Sequence, residues 1–332
     1  MCTAVAYKGK TCFFGRNLDL EYFYDEAVTI TPRNYELKFR KRDNIKRHFA
    51  IIGMAYVVDN YPLYYDGMNE KGLAMAGLSF PGYAKYKDIK NEKNESINNL
   101  KENITPFELI PYILGTCKNV DEAEQHIENL NIVDINFSEK LPLTPMHWII
   151  SDDKKSITVE SVQNGINIYE NPIGVLTNNP TFDYQIFNLN NYMKLSKSAP
   201  ENRFSDELNL KVYSRGMGAM GLPGDLSSVS RFVRAAFVKS NLVIGDSKEE
   251  DISQFFHILS SVEQQKGCVE IEKGKYEYTI YSSCMDLERG IYYYKTYDNS
   301  QIIGVDMNKE DLSGVDIKDY KILKKSQIYW QN

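Results

Sequence analysis

Histidine, tryptophan and cysteine are scarce in this chain, and each scarcity narrows its chemistry. Five cysteines (Cys2, Cys12, Cys117, Cys268, Cys284) are an odd number at wide spacing with no CxxC pair, which points away from a disulfide framework and from a zinc site. Four histidines (His48, His126, His147, His257) include no pair at metal-ligand spacing. No apolar run approaches the roughly 18 residues that span a bilayer. A basic stripe is also missing: 39 Lys and Arg stand against 45 Asp and Glu, a net charge of −6. The one basic cluster, Arg40-Lys41-Arg42 with Lys46-Arg47, has no interleaved aromatics, so it reads as a solvated turn and not as a nucleic-acid surface. The N-terminus lacks a basic segment followed by an apolar run, and a cytoplasmic protein that does not engage membranes is expected.

What is present is a globular composition, 42% hydrophobic and 25% charged. Neither linker nor internal repeat divides the 332 residues, so one domain over 1–332 is expected. Cysteine stands second, and removal of Met1 would leave a thiol and an α-amine on one residue. An α-amine has an unperturbed pKa of about 7.7–8.0, so part of it is an unprotonated base at neutral pH. Position alone carries little weight. The text that follows, Cys2-Thr3-Ala4-Val5-Ala6-Tyr7, alternates like a strand and would bury its end in a fold.

Strands are expected at 2–7, 11–19, 27–31, 49–58, 63–66 and 73–80, followed by a polar loop over 85–103. Thr105-Pro106-Phe107-Glu108 opens a helix, and a second runs from Val120 to Leu130. Strands at 147–151, 156–162 and 164–169 come next, then helices at 180–195, 228–241 and 251–264, and strands at 276–283, 290–297 and 301–307. Elements arrive in blocks without strict β-α alternation, which favours an α+β fold of antiparallel sheets covered by helices. Gly216-Met217-Gly218-Ala219-Met220-Gly221 spells a dinucleotide fingerprint, but Leu222-Pro223-Gly224-Asp225 would prevent a helix from starting at its third glycine. A glycine-rich loop beside the site is the preferred reading.

Gly15-Arg16-Asn17-Leu18-Asp19 ends the second strand, and a tight hairpin would bring Arg16 and Asp19 near Cys2. A cation favours thiolate, and a carboxylate can hold the α-amine. Asn178, in Thr177-Asn178-Asn179-Pro180, can donate to an oxyanion without titrating. Arg231 and Arg234 lie in the first turns of a helix and can share one face.

Together these pieces resemble the choloylglycine hydrolase family of bile salt hydrolases and penicillin V acylases. The resemblance rests on an ordered set that includes Cys2-Thr3, Phe14 to Asp19, Asn69-Glu70-Lys71-Gly72-Leu73, Ala76 to Gly82, Gly174 to Pro180, Gly221 to Asp225 and Ser230 to Phe237. It continues through Tyr281-Ser282-Ser283-Cys284 and Gly290 to Tyr294. It implies an N-terminal-nucleophile hydrolase with a four-layer αββα sandwich, no cofactor and a homotetramer. Residue by residue it makes Cys2 the nucleophile and its amine the base, with Asp19 holding the amine, Arg16 beside the sulfur, Asn178 at the oxyanion and Arg231 completing the polar site. Bile salt hydrolases carry Asn and penicillin V acylases Tyr after Gly-Leu, where this chain has Ser79; its backbone N–H can still line the oxyanion hole. Leu18, Tyr24, Val58, Tyr65, Phe137, Leu141 and Met146 would form the acyl pocket. The implied substrate is a glycine- or taurine-conjugated bile salt, with penicillin V or another N-acyl amide as alternatives. Two other readings remain open: a cysteine hydrolase with His48, His126, His147 or His257 as base, and a steroid- or lipid-binding protein with a disabled site.

Overall fold

The N-terminal text folds as an antiparallel hairpin in which β1 (Cys2–Lys8) pairs with β2 (Cys12–Leu20), Cys2 opposite Leu18 and Ala4 opposite Arg16. The computed structural model describes residues 1–88, 101–326 and 328–332; residues 89–100 of the expected polar loop lie outside the described residues. Next come β3 (Ala27–Thr31), β4 (Ile51–Val58), β5 (Tyr61–Asn69), β6 (Ala74–Ser79), β7 (Glu102–Ile104), β8 (Leu130–Ile132), β9 (Met146–Ser151), β10 (Ser156–Val162), β11 (Gly165–Glu170) and β12 (Val175–Leu176). The C-terminal part adds β13 (Val269–Glu272), β14 (Lys275–Asp286), β15 (Ile291–Thr296), β16 (Ile303–Asp306) and β17 (Lys318–Lys321). The helices are α1 (Leu109–Thr116), α2 (Val120–Glu128), α3 (Phe182–Asn188), α4 (Ser228–Asn241) and α5 (Lys248–Ser260).

Two antiparallel sheets carry the structure. The first runs β12-β1-β2-β14-β15-β16 with β13 attached to β14, and the second runs β11-β10-β9-β6-β5-β4-β3-β17. β1 and β2 pack against β6 across the gap between them. Phe232 of α4 and Phe255 of α5 join Phe13, Phe14 and Ile52 in one apolar cluster, while Leu109 and Ile113 of α1 and Ala123 and Ile127 of α2 join Trp148 and Ile51 in a second. The order is therefore helix, sheet, sheet, helix, the expected αββα sandwich. Alternation explains the two clusters: along β4, Ile52 and Met54 face the partner sheet while Ile51 and Ala55 face the helices.

Several expectations change. The helix expected over 180–195 stops at Asn188, with one 3-10 stretch at Leu189–Tyr192. Asparagine competes for backbone groups there, and Asn190 Nδ2 donates to the Phe187 carbonyl at 2.7 Å. Part of the expected polar loop is β7, which pairs parallel with β8. The glycine fingerprint forms a short 3-10 turn at Met217–Ala219 that no strand among the described residues runs directly into, and it packs on Ser196 and Ser198 without lining the cavity described below. Arg42 is no solvated turn residue: it pairs with Glu102 at 2.8 Å and lies 3.8 Å over the Tyr112 ring.

Candidate active site

The site begins where a sheet comes apart. β5 and β6 pair only from Met68↔Ala74 to Asp66↔Ala76. Tyr65 and Gly77 would form the next hydrogen-bonded rung, but the register of β4 on β5 skips a residue at Tyr65, a bulge that bends β5 away. Arg16 fills the gap, its Nη1 donating to the Tyr65 carbonyl at 3.0 Å and the Gly77 carbonyl at 2.6 Å. Phe80 N–H bonds the Pro145 carbonyl, so ladder alternation turns the Ser79 N–H and carbonyl away from β9 and toward the split.

Opposed residues share a face, so Cys2, Leu18 and Arg16 all point between the sheets. Thr3, Asn17 and Asp19 point to the helix side, where Asn17 Nδ2 donates to the Leu259 carbonyl of α5. Arg16 is fully buried; burial opposes its charge, yet Cys2, Tyr281, Asp66 and Asp19 outweigh that and raise its pKa. Its Nη2 has no hydrogen-bond partner among the described residues. Asp66 is buried beyond it and accepts from Tyr292 Oη at 2.7 Å, Ser283 Oγ at 2.8 Å and Tyr281 Oη at 3.3 Å.

The other polar residues meet at the end of β1. Arg231 of α4 reaches the Cys2 carbonyl and Thr3 Oγ1 through Nη1, at 2.5 and 2.6 Å, and Asn178 Oδ1 through Nη2 at 2.7 Å. Burial lowers its pKa against the pull of Asp19, Cys2 and Glu277. Asn178 Oδ1 also accepts from Cys2 N at 2.9 Å, and Asn178 Nδ2 donates to the Ser79 carbonyl at 2.7 Å, leaving that amide a second N–H. Asp19 Oδ1 accepts from Thr279 Oγ1 at 2.6 Å, whereas its buried Oδ2 has no partner among the described residues. Burial raises the Asp19 pKa above 3.8 despite Arg231, the terminal ammonium, Thr279 and Arg16. Met1 continues the ladder opposite Asp19, its ammonium donating to the Asp19 carbonyl and to Glu277. Cys2 N is thus a peptide nitrogen in this form. Arg234 does not join the site; it donates to the Pro223 and Ser261 carbonyls.

A cavity of about 390 Å³ opens in front of Cys2. Of the expected acyl-pocket residues, Leu18, Tyr24, Tyr65, Phe137, Leu141 and Met146 line it, beside Arg16, Gly77 and Ser79. Val58 does not. It pairs with Tyr61 at the tip of the β4–β5 hairpin, one strand repeat beyond the lining residue Tyr56, where Asp59 and Asn60 form the two-residue turn at positive φ. Leu20, Tyr56, Leu63 and Phe107 also line the cavity. The first of these was legible as the next inward position after Leu18 on β2. Asp66 and Glu277 carried no sequence signal beyond a carboxylate in an apolar strand.

None of the four histidines lines the cavity in front of Cys2. His147 is fully buried, with Nδ1 3.1 Å from Glu160 Oε1 and Nε2 3.0 Å from the Thr177 carbonyl, so neither nitrogen is free to act on Cys2. Both nitrogens of His48 face carbonyls, those of Phe49 and Tyr35. Among the described residues no group of three His, Cys, Asp or Glu side chains is placed to hold a metal.

A cysteine opening a central strand of an αββα sandwich is the architecture of N-terminal-nucleophile hydrolases. The family model described as linear amide C–N hydrolases, choloylglycine hydrolase family, matches residues 2–323, and the chain belongs to that family. It is 56% identical over 332 residues to the bile salt hydrolase/transferase of Lactiplantibacillus plantarum, covering 100% of both chains. Against the bile salt hydrolase/transferase of Clostridium perfringens it is 42% identical over 336 residues, covering 99% of both. The crystal structure of the mutant C2A conjugated bile acid hydrolase from C. perfringens superposes with a TM-score of 0.91 at 41% identity over 100% of both chains. Penicillin V acylase from Agrobacterium tumefaciens shares the fold, with a TM-score of 0.75 at 21% identity over 98% of this chain and 94% of that one. The chain is accordingly an amide hydrolase.

Proposed function

We propose that this enzyme hydrolyses the amide joining a bile acid to glycine or taurine, with Cys2 as nucleophile once Met1 has been removed. The supporting observation is the cavity: its walls are tyrosine and aliphatic side chains suited to a rigid amphipathic acyl group, and its floor is Cys2 with Arg16. Relatives named bile salt hydrolase at 56% and 42% identity favour the same substrate class.

In this reading the freed Cys2 amine takes the thiol proton and the sulfur adds to the amide carbonyl. Asp19 Oδ2, a buried acceptor without a partner among the described residues, holds the amine. The second N–H of Asn178 Nδ2 and the Ser79 N–H receive the oxyanion, and Arg231 fixes Asn178 from behind. The tetrahedral adduct expels the amino acid, whose nitrogen takes the proton from the Cys2 ammonium. Water, deprotonated by the same amine, then releases the acyl group from sulfur. No step requires a cofactor.

Incubation with taurocholate, glycocholate and penicillin V tests the substrate. Cleavage of the bile salts is expected; cleavage of penicillin V alone overturns the substrate and leaves the mechanism standing. Intact-mass analysis is expected to show the chain without Met1, and retention of Met1 in native protein that binds bile salts without cleaving them favours a binding protein on this scaffold.

The proposed setting is a cytoplasmic homotetramer, each chain one domain. Exposed Phe187, Met193, Phe204 and Tyr213 lie on one excursion between β12 and α4 and support self-association. Light scattering of the purified protein should give four chains, and a monomer would overturn the assembly.

A further inference from the structure

We propose that the buried pair His147 and Glu160 is a clamp that positions the oxyanion-hole segment Thr177–Phe182. The proposal rests on the reading of Asn178 as oxyanion donor. His147 on β9 and Glu160 on β10 face each other across the two strands, and both are fully buried between the sheets. Each grips one end of the segment that carries Asn178. His147 Nε2 holds the Thr177 carbonyl at 3.0 Å, and Glu160 Oε1 holds the Phe182 N–H at 3.0 Å. The two grips are joined by the contact of His147 Nδ1 with Glu160 Oε1 at 3.1 Å.

The same histidine also abuts the other half of the oxyanion hole. The Phe80 ring, next to Ser79, stacks on the imidazole with centroids 4.1 Å apart and planes 7° from parallel. His147 is paired with Leu78 in the β6–β9 ladder. One imidazole therefore touches the strand that offers the Ser79 N–H and the segment that offers the Asn178 amide. On the helix side the segment is held by Ser228 Oγ, which accepts from Asn178 N at 2.8 Å. Without the clamp the segment keeps that anchor and the side-chain contacts of Asn178 with the Ser79 carbonyl and of Asn179 with the Pro81 carbonyl, but loses both backbone grips on the β9–β10 side.

The hydrogen-bond pattern sets what the pair must contain. Both imidazole nitrogens face acceptors, so both contacts are made when imidazolium meets carboxylate or when neutral imidazole meets the carboxylic acid. Either form is neutral overall, which suits a fully buried pair. Oxyanion catalysis depends on donors fixed before charge develops, and a displacement of about 1 Å costs on the order of 10²-fold in rate. His147 and Glu160 are thus positioning residues that act through Asn178.

The test compares the parent with N178A, H147F, E160L and E160Q, using the amide substrate that the parent turns over best. H147F keeps a ring against Phe80 and loses the donor to Thr177; its kcat should fall about 10–100-fold with KM within about threefold. E160L should behave alike. E160Q can offer an oxygen to the Phe182 N–H, but that oxygen then also needs the Nδ1 proton, which leaves a neutral imidazole none for the Thr177 carbonyl, so kcat should recover only in part, to between E160L and the parent. Alkylation of Cys2 by iodoacetamide develops no oxyanion on a bound carbonyl, so its rate should stay within about twofold in every variant. Folded H147F and E160L at parental kcat overturn the clamp, as does alkylation falling in step with kcat. If one of the two fails to fold, the other carries the test; if neither folds, the pair is a folding element and the proposal is overturned. A parent that cleaves no amide, or an N178A as active as the parent, overturns the functional reading instead.

Discussion

The first hairpin carries a cysteine at each end, and the two sit in opposite surroundings. Cys2 opens β1 between two buried arginines, Arg16 and Arg231, in front of a largely apolar cavity. Cys12 opens β2 opposite Lys8, on a smaller cavity of about 220 Å³ at the far end of the sandwich. Burial raises the Cys12 pKa, and Asp153, Asp152 and Glu288 raise it further against the single lowering influence of Lys8. The same residue in the same hairpin is thus given cations at one end and carboxylates at the other. Thiol chemistry follows the charges placed around it and not the residue itself.

Removal of each thiol should separate the two ends most strongly. Cys2→Ala should lose at least about 10⁴-fold in kcat, the scale on which nucleophile removal acts, whereas Cys12→Ala should stay within about twofold. Equal losses would mean that charge placement does not separate the two ends. Asn178→Ala should cost about 10²–10³ in kcat, with lesser effects on substrate affinity.

Acid titration probes the Cys2 end from the helix side. In the proposed mechanism Asp19 holds the amine as a carboxylate, and burial raises its pKa above the usual 3.8. The acid limb of kcat/KM should therefore have its midpoint above 3.8, and Asp19→Asn should flatten that limb at a much lower rate. Between the unfolded and folded pKa values the folded chain binds a proton that the unfolded chain does not, so this group does not destabilise the fold on acidification. Activity should be lost reversibly while circular dichroism is unchanged.

The far end should respond mainly through stability. Lys239 lines the smaller cavity, donates to the Ile173 carbonyl and pairs with no carboxylate among the described residues; burial lowers its pKa to about 8. Between about 8 and the unfolded value of 10.5 the unfolded chain holds the proton, so stability from this group rises with pH over that window. Lys239→Met should stabilise the protein by roughly 1–3 kcal/mol at pH 7 and lose that advantage near pH 10.5, with kcat unchanged. Thermal melts at the two pH values check both the sign and the window.

Local signals were legible in the sequence and distant ones were not. α4 spans Ser228–Asn241 as expected, because Ser227 caps it with a side chain that accepts from Ser230 N and an apolar face runs through it. The start of the site was legible for a similar reason: Cys2, Arg16 and Asp19 lie within one hairpin, whose alternation fixes the register. Asn178 and Arg231 were reached through the ordered resemblance, since each alone reads as a turn or a surface residue. Asp66 meets Tyr292 across 226 residues of chain, and Glu277 meets Met1 across 276, separations that no local pattern reports. Val58 failed because alternation gives the face of a strand but not how far along it a cavity extends. His147 was legible only as one of four candidate bases; its consequence lies in its partners, Thr177 and Glu160.

The interrupted seam between β5 and β6 has the widest reach. Had those strands zipped three residues further, the carbonyls that now receive Arg16 and Asn178 would have been occupied by neighbouring amides, and the sulfur would face a closed wall. An unfinished sheet is what leaves this enzyme a doorway.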